Sequence, residues 1–212
     1  MQTSLQFWDG IAEKYARSQI RDPAAYDYTL ERTQAYLNPG DRVLELGCGT
    51  GTTALRLRKA VACYTATDLA PSMIAIAQRK KDEAGVTNLR FVVSDIANAP
   101  EGPFDAVMAF NLFHLIGDLD GALAHIYRTI RPGGTFISKT PCLADSKSAV
   151  QRLMMRVAIP VMRLVGKAPP SVVHFLSVAD WQARLEAAGF EIIETGNYPA
   201  DPPNRFLVAR RK

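Results

Sequence analysis

The sequence predicts an α/β protein: a Rossmann-like, seven-stranded, mostly parallel sheet with an antiparallel C-terminal strand, helices on both faces and helical lid elements. Three observations predict it. From residue 41, short apolar runs alternate with helical patterns, as βαβ units require. A cluster of glycines follows the first apolar run directly. The last two apolar runs, Phe190–Thr195 and Arg205–Arg210, are joined by a short Asn/Pro-rich link, which has no room for a crossover helix and so demands antiparallel pairing.

The elements follow in order. Residues 1–37 read as a helical, aromatic-rich cap carrying Phe7, Trp8, Tyr15, Tyr26, Tyr28 and Tyr36. Val43–Leu46 is a buried strand and Thr52–Lys59 a helix. Cys63–Thr67 is the second strand, and Pro71 opens the helix Pro71–Ala84 from a first-turn position that needs no N–H. Leu89–Val93 and Asp105–Phe110 are the third and fourth strands. Leu119–Thr129 is a helix stopped by Pro132-Gly133-Gly134 before a fifth strand, Thr135–Lys139. Residues 141–177 form a long insertion, and Val178–Ala188 is a helix ended by Gly189. The cap and the insertion are expected to cover the carboxyl ends of the strands, where open α/β sheets bind ligands.

The chain has 212 residues, 48% of them hydrophobic and 22% charged, as expected for one globular domain spanning 1–212. A net charge of +4 is too small an excess to argue for nucleic acid. Cys48, Cys63 and Cys142 show no metal-type pairing, and an odd number of cysteines suits a reduced, cytoplasmic compartment. The sequence starts without the basic and apolar pattern of a signal peptide, and no metal site is expected.

The chemistry begins at Val43-Leu44-Glu45-Leu46-Gly47-Cys48-Gly49-Thr50-Gly51. Glycines at alternate positions allow a tight turn and close backbone approach to a ligand, and the helix that follows aims its N-terminus at the same spot. Cys48 reads as a small residue that fits the loop. A dinucleotide G-x-G-x-x-G starting at Gly47 would want glycine at 52, and Thr52 stands there. Asp68 ends the second strand; it can accept from both hydroxyls of a ribose or cap the helix at Pro71. Asp95 follows the third strand, where a carboxylate can accept from an adenine amino group. Three acids, each at or just after a successive strand, point to an adenosine ligand.

Glu45-Leu46-Gly47-Cys48-Gly49-Thr50-Gly51 resembles motif I of the class I S-adenosylmethionine-dependent methyltransferases. Asp68 matches that family's ribose-binding acid and Asp95-Ile96 its adenine-binding pair. Phe104-Asp105-Ala106-Val107 and Ile130-Arg131-Pro132-Gly133-Gly134 resemble its fourth strand and the loop before the fifth. The resemblance covers about residues 40–140 and implies S-adenosyl-L-methionine as cofactor. It implies that backbone around Gly47 and Asn111 holds the methionine ammonium, that Leu69 and Met73 pack near the adenosine, and that Tyr15 lies over the methionine part. The wider group it resembles includes quinone-biosynthesis and lipid methyltransferases.

For the acceptor, His114 follows the fourth strand in Asn111-Leu112-Phe113-His114-Leu115. It is the candidate base for an oxygen or nitrogen acceptor, with a backbone-bonded structural histidine as the alternative. His125 and His174 have no evident partner. In the insertion, Arg152, Arg156, Arg163 and Lys167 share one helical face, with Leu, Met, Val and Ile on the rest, and Pro160 is expected to kink or split the helix. Two readings stand open: a lid with its apolar side on the pocket and its arginines in water, or a helix over 147–167 lying on an anionic membrane. Either suggests a small apolar or amphipathic methyl acceptor and no nucleic acid. The rivals are a non-catalytic S-adenosylmethionine-binding protein and an NAD-dependent oxidoreductase.

Overall fold

A computed structural model describes residues 3–164, 166–170 and 174–212. The first two residues of the expected cap, and 165 and 171–173 of the expected insertion, lie outside the described residues.

Two helices precede the sheet. α1 (Ser4–Arg17) opens with a capping box between Thr3 and Gln6, and α2 (Pro23–Gln34) starts on an Asp22 cap with proline in its first turn; both satisfy orphan N–H groups or dispense with them. The strands are β1 (Arg42–Leu46), β2 (Cys63–Asp68), β3 (Leu89–Val93), β4 (Phe104–Phe110), β5 (Ile130–Pro141), β6 (Phe190–Ala200) and β7 (Pro203–Arg211). They form one seven-stranded sheet in the order β3-β2-β1-β4-β5-β7-β6. The first five are parallel, and β7 runs antiparallel to both β5 and β6.

The remaining helices are α3 (Thr52–Leu57), α4 (Pro71–Glu83), α5 (Leu119–Thr129), α6 (Ala149–Leu164) and α7 (Val178–Ala187). The sheet carries a core on each face. On one, Leu44, Val107, Ala109 and Phe136 pack against α5 and against Trp181 and Leu185 of α7. On the other, Val43, Tyr64, Ala66, Met108 and Ile137 pack against Leu30, Ala54, Leu57, Ile74 and Ala77. Strands buried on both faces explain the nearly unbroken apolar runs of β1 and β4. At the amino ends of the strands Asp105 accepts from the Arg42 backbone N–H at 2.7 Å and from Arg131 Nε at 2.6 Å, which locks together β1, β4 and the start of β5, where Arg131-Pro132-Gly133-Gly134 is strand and not the expected loop.

Three further details differ from the sequence reading. The link between the last strands shrinks to Asp201-Pro202, because β6 and β7 stay paired out to Ala200 and Pro203. Pro160 does not split α6, which runs through it; residues 156 and 160 are both exposed, so water can take the Arg156 carbonyl that proline leaves free. The orientation of α6 also reverses the lid arrangement. Arg152, Met155, Ile159 and Arg163 form its half-buried stripe. Arg152 donates to the Ser146 carbonyl, Arg163 to the Pro170 carbonyl, and Arg156 stacks over Phe175. Val150, Leu153, Met154, Val157, Val161 and Met162 face outward. Arg152 and Arg163 turn in, each toward a carbonyl of the insertion, while Arg156 stays exposed. Among the described residues, no helix is long and apolar enough to cross a membrane.

Gly51 shows how tightly the first crossover is built. Its φ is +76°, and a Cβ there would stand 2.6 Å from Phe91 Cζ and 2.8 Å from Ala77 Cβ. At Gly49, φ +54°, a Cβ would meet only Tyr15 Cε1 at 3.4 Å. Gly51→Ala should therefore cost about 2–5 kcal/mol, combining left-handed strain with overpacking. Gly49→Ala should cost only the strain, about 1–2 kcal/mol. Urea denaturation of both variants measures the difference; equal losses would remove the packing part of the argument.

Candidate functional site

The strand order reverses between β1 and β4, and the carboxyl ends of these two neighbours open a crevice. Both exits from it are left-handed. Gly47 leaves β1 at φ +69° and Asn111 leaves β4 at φ +56°, the one non-glycine residue with positive φ among those described. Asparagine tolerates this region better than most residues. The Asn111 N–H donates to the Lys139 carbonyl at 2.7 Å, and its side-chain oxygen accepts from Asn204.

Asp68, at the end of β2, ties the loop together. One carboxylate oxygen accepts from the Gly49 N–H at 2.8 Å and the other from the Ala70 N–H at 2.9 Å. Burial pushes this carboxyl up, and the two backbone bonds pull it back. A carboxylate offers about four acceptor positions, so two remain for a ligand. Asp95 is exposed, and one of its oxygens accepts from the backbone and side chain of Asn98.

Two cavities meet here. The smaller, about 170 Å³, is lined by Asp68, Leu69, Met73, Asp95 and Ile96, with Trp8, Leu112, Leu115 and Ile116. The larger, about 350 Å³, is lined by Glu45, Cys48, Arg21, Tyr26, Thr29 and Lys139 among others. Tyr15, Gly47, Gly49, Phe110 and Asn111 line both. Of the catalytic and cofactor-binding residues expected from the sequence, only Gly51 and His114 line neither. Gly51 is committed to packing. His114 is half-buried, its Nδ1 has no partner among the described residues, and its backbone carbonyl accepts from the His174 N–H. Burial, reinforced by His174, pushes its imidazole down to about 4.

The cap contributes Ser4, Trp8, Tyr15, Ala16 and residues of 18–30 to these walls. No described residue of 141–177 lines either one. Trp8 and Tyr26 come from the aromatic cap expected over the strand ends, whereas sequence reasoning missed Lys139 and Arg21. Lys139 carried a signal: a charged residue closing the buried run Phe136-Ile137-Ser138.

Residues 43–134 match the methyltransferase domain family. The chain is 32% identical to a demethylmenaquinone methyltransferase of Thermus thermophilus over 71% of this chain and 74% of that protein. The chain belongs to the class I S-adenosylmethionine-dependent methyltransferases. It is also 29% identical to a ubiquinone biosynthesis O-methyltransferase of Xanthomonas axonopodis, covering 86% of this chain and 77% of that one. A match to a highly reducing polyketide synthase of Purpureocillium lilacinum, 30% identical over 63% of this chain, spans only 6% of that synthase. The magnesium protoporphyrin IX methyltransferase of Synechocystis, solved with S-adenosylhomocysteine, shares the fold at TM-score 0.74 and 20% identity over 98% of both chains.

This methyltransferase fits its family's cofactor. The smaller cavity offers an apolar slot of Leu69, Met73 and Ile96 beside the unspent acceptor positions of Asp68, as a nucleoside requires. On the far side, Glu45 is 2% exposed and accepts from the Tyr64 hydroxyl at 2.7 Å. Burial pushes its carboxyl up to about 7; the Tyr64 bond opposes the rise and Asp68 adds to it. A raised folded value means that Glu45 stabilises fully below its ordinary 4.5, and that this contribution is lost as pH rises through 7. Glu45→Gln should therefore gain on the parent protein between pH 5 and pH 8, by about 3 kcal/mol when complete. Urea melts of both proteins at the two pH values check the sign. A gain for the parent on raising pH would contradict it.

Proposed function

We propose that this methyltransferase transfers the methyl group of S-adenosylmethionine to a small apolar or amphipathic acceptor at the junction of the two cavities. The observation that carries the reading is the shared wall of Tyr15, Gly47, Gly49, Phe110 and Asn111. Bound S-adenosylmethionine supplies an electrophilic methyl group on a sulfonium. Asp68 holds the ribose hydroxyls with its free acceptor positions, and Leu69, Met73 and Ile96 flank the adenine beside Asp95. Gly47 and Asn111 offer backbone carbonyls to an ammonium. Tyr15 and the cap exclude water from the junction, which aligns the reactants and strengthens each polar contact there.

Support for an apolar or amphipathic acceptor comes from two sides. The relatives' names point to demethylmenaquinone and ubiquinone biosynthesis. The outward face of α6 carries six large apolar residues, with Lys147, Arg156 and Lys167 also on the exposed surface of this segment. A helix of that character suits delivery from an anionic membrane surface. The three free thiols fit a cytoplasmic location.

His114 is the base in this reading. It follows Leu112 and precedes Leu115 and Ile116 of the cavity wall. Burial keeps its imidazole neutral above about pH 4, and an acceptor that brings it within hydrogen-bond reach must also raise that low basicity for it to take a proton.

Calorimetry should find S-adenosylmethionine and S-adenosylhomocysteine bound and NAD ignored. Tight NAD binding without a response to either sulfur nucleoside would end the reading. A turnover screen over quinols, phenols, amines and phospholipids, each with and without anionic vesicles, then tests the acceptor; turnover confined to polar acceptors, indifferent to vesicles, would remove the amphipathic part. On whichever acceptor turns over, His114→Ala should lower the rate by roughly 10²–10⁴-fold with cofactor affinity intact. A near-normal rate would make His114 a packing residue.

A further inference from the structure

The larger cavity has a buried ammonium group in its wall. Lys139 closes the apolar part of β5 and is only 8% exposed. Its Nζ donates to Thr29 Oγ1 at 3.0 Å and to the Ala25 carbonyl at 3.4 Å. Both acceptors are neutral, and an ammonium has three N–H groups to place. Among the described residues, no carboxylate lies within ion-pairing distance of it. Glu45 lines the same cavity, but its carboxylate is held by Tyr64. Arg21 adds a second cation to the lining, from the link between α1 and α2.

A lysine charge taken out of water and matched only to neutral oxygens is costly. Burial pushes the amine down from its ordinary value, and Asp22, a carboxylate beyond ion-pairing distance, opposes that shift only in part. An anion arriving in the cavity would reverse that cost, and a charge-assisted bond to a carboxylate is among the stronger contacts available.

We propose that Lys139 is the counter-ion for a carboxylate that enters the larger cavity. The proposal rests on the reading of these cavities as cofactor and acceptor space. Two ligands can bring that carboxylate: the amino-acid end of the cofactor, or an acidic group on the methyl acceptor. Arg21, exposed in the link between α1 and α2, adds positive charge to the lining of the same cavity, and Thr29 orients the ammonium. Lys139 is thus a positioning and specificity residue beside the transfer site.

The test is calorimetry on the parent protein, Lys139→Gln and Lys139→Arg, with three probes: S-adenosylhomocysteine, 5′-methylthioadenosine, which lacks the amino-acid part, and benzoate added to the S-adenosylhomocysteine complex. If the cofactor brings the carboxylate, Lys139→Gln weakens S-adenosylhomocysteine by roughly tenfold or more and leaves methylthioadenosine unchanged, with Lys139→Arg recovering most of the loss. If the acceptor brings it, both nucleosides bind as before. Benzoate, bound by the parent complex, is then lost in Lys139→Gln and regained in Lys139→Arg. In both cases the melting temperature of free Lys139→Gln equals or exceeds the parent's, because a buried charge has gone. Equal weakening of both nucleosides, or unchanged binding of all three probes, overturns the proposal. So does a lower melting temperature with unchanged binding, which would make Lys139 a tether for α2. A parent protein that binds neither nucleoside is a failure of the functional reading alone; benzoate titrated into the free protein and into Lys139→Gln then decides the anion site.

Discussion

The bond from the Gly49 N–H to Asp68 is the contact around which the crevice is organised. It joins the loop leaving β1 to the end of β2, and the second oxygen of the same carboxylate holds Ala70 at the start of α4. One side chain thereby sets the spacing of two crossovers. The glycines supply the left-handed backbone that brings the Gly49 N–H to it, and Gly51 lets β3 and α4 close to contact distance behind. The pair sits where the strand order reverses, so strands on either side diverge from it. A loop fixed there from within is already shaped for a ligand, and the entropy of ordering it is spent in folding rather than in binding.

How much of this was legible depends on how local the cause is. Gly47, Gly49, Asp68 and Asp95 could be read because each responds to its own strand end: a turn, a positive φ, a carboxylate at the edge of the sheet. The parallel strands and the antiparallel close followed from apolar runs and link lengths, which are also local. Lys139 could not be read the same way. Its meaning depends on Thr29, 110 residues away in sequence, and on there being no carboxylate within ion-pairing distance of it among the described residues. The facing of α6 failed for a related reason. Amphipathic periodicity says that a helix has two faces; which one turns inward depends on the carbonyls of Ser146 and Pro170, and those acquire a position only in the folded insertion.

The two cavities also differ electrically, and the difference follows from the sheet. Glu45, buried on β1, and Asp68, half-buried on β2, both have raised carboxyls, and Asp68 adds to the rise at Glu45. Lys139 lies on β5, two strands along on the other side of β1, with its amine pushed down. The crevice at β1 and β4 therefore runs from an acid side to a basic side. Burial disfavours the charged form of each of these groups, and an opposite charge brought beside one restores it. A ligand that carries a positive and a negative group at the matching separation gains at both ends, while a neutral one gains at neither.

The insertion bears on the site indirectly. None of its described residues borders a cavity, yet His174 grips the segment that does. Its backbone N–H donates to the His114 carbonyl, and its Nε2 meets the Ile116 carbonyl, each at 2.8 Å. Leu115 and Ile116 form the wall of the smaller cavity, and Phe113, wedged between Phe136 and Trp181, anchors its root in the core. The wall is thus pinned on its inner side by aromatic packing and on its outer side by one histidine of the insertion. Rearranging α6 would act on the pocket through that grip, by shifting Leu115 and Ile116, and not by covering the opening. The cap does the covering: Trp8 and Tyr15 of α1 stand on the cavity side, and Asp9 of the same helix accepts from the Ser72 N–H at the start of α4. Closure and wall geometry are therefore held by different parts of the chain, one before the sheet and one after its fifth strand.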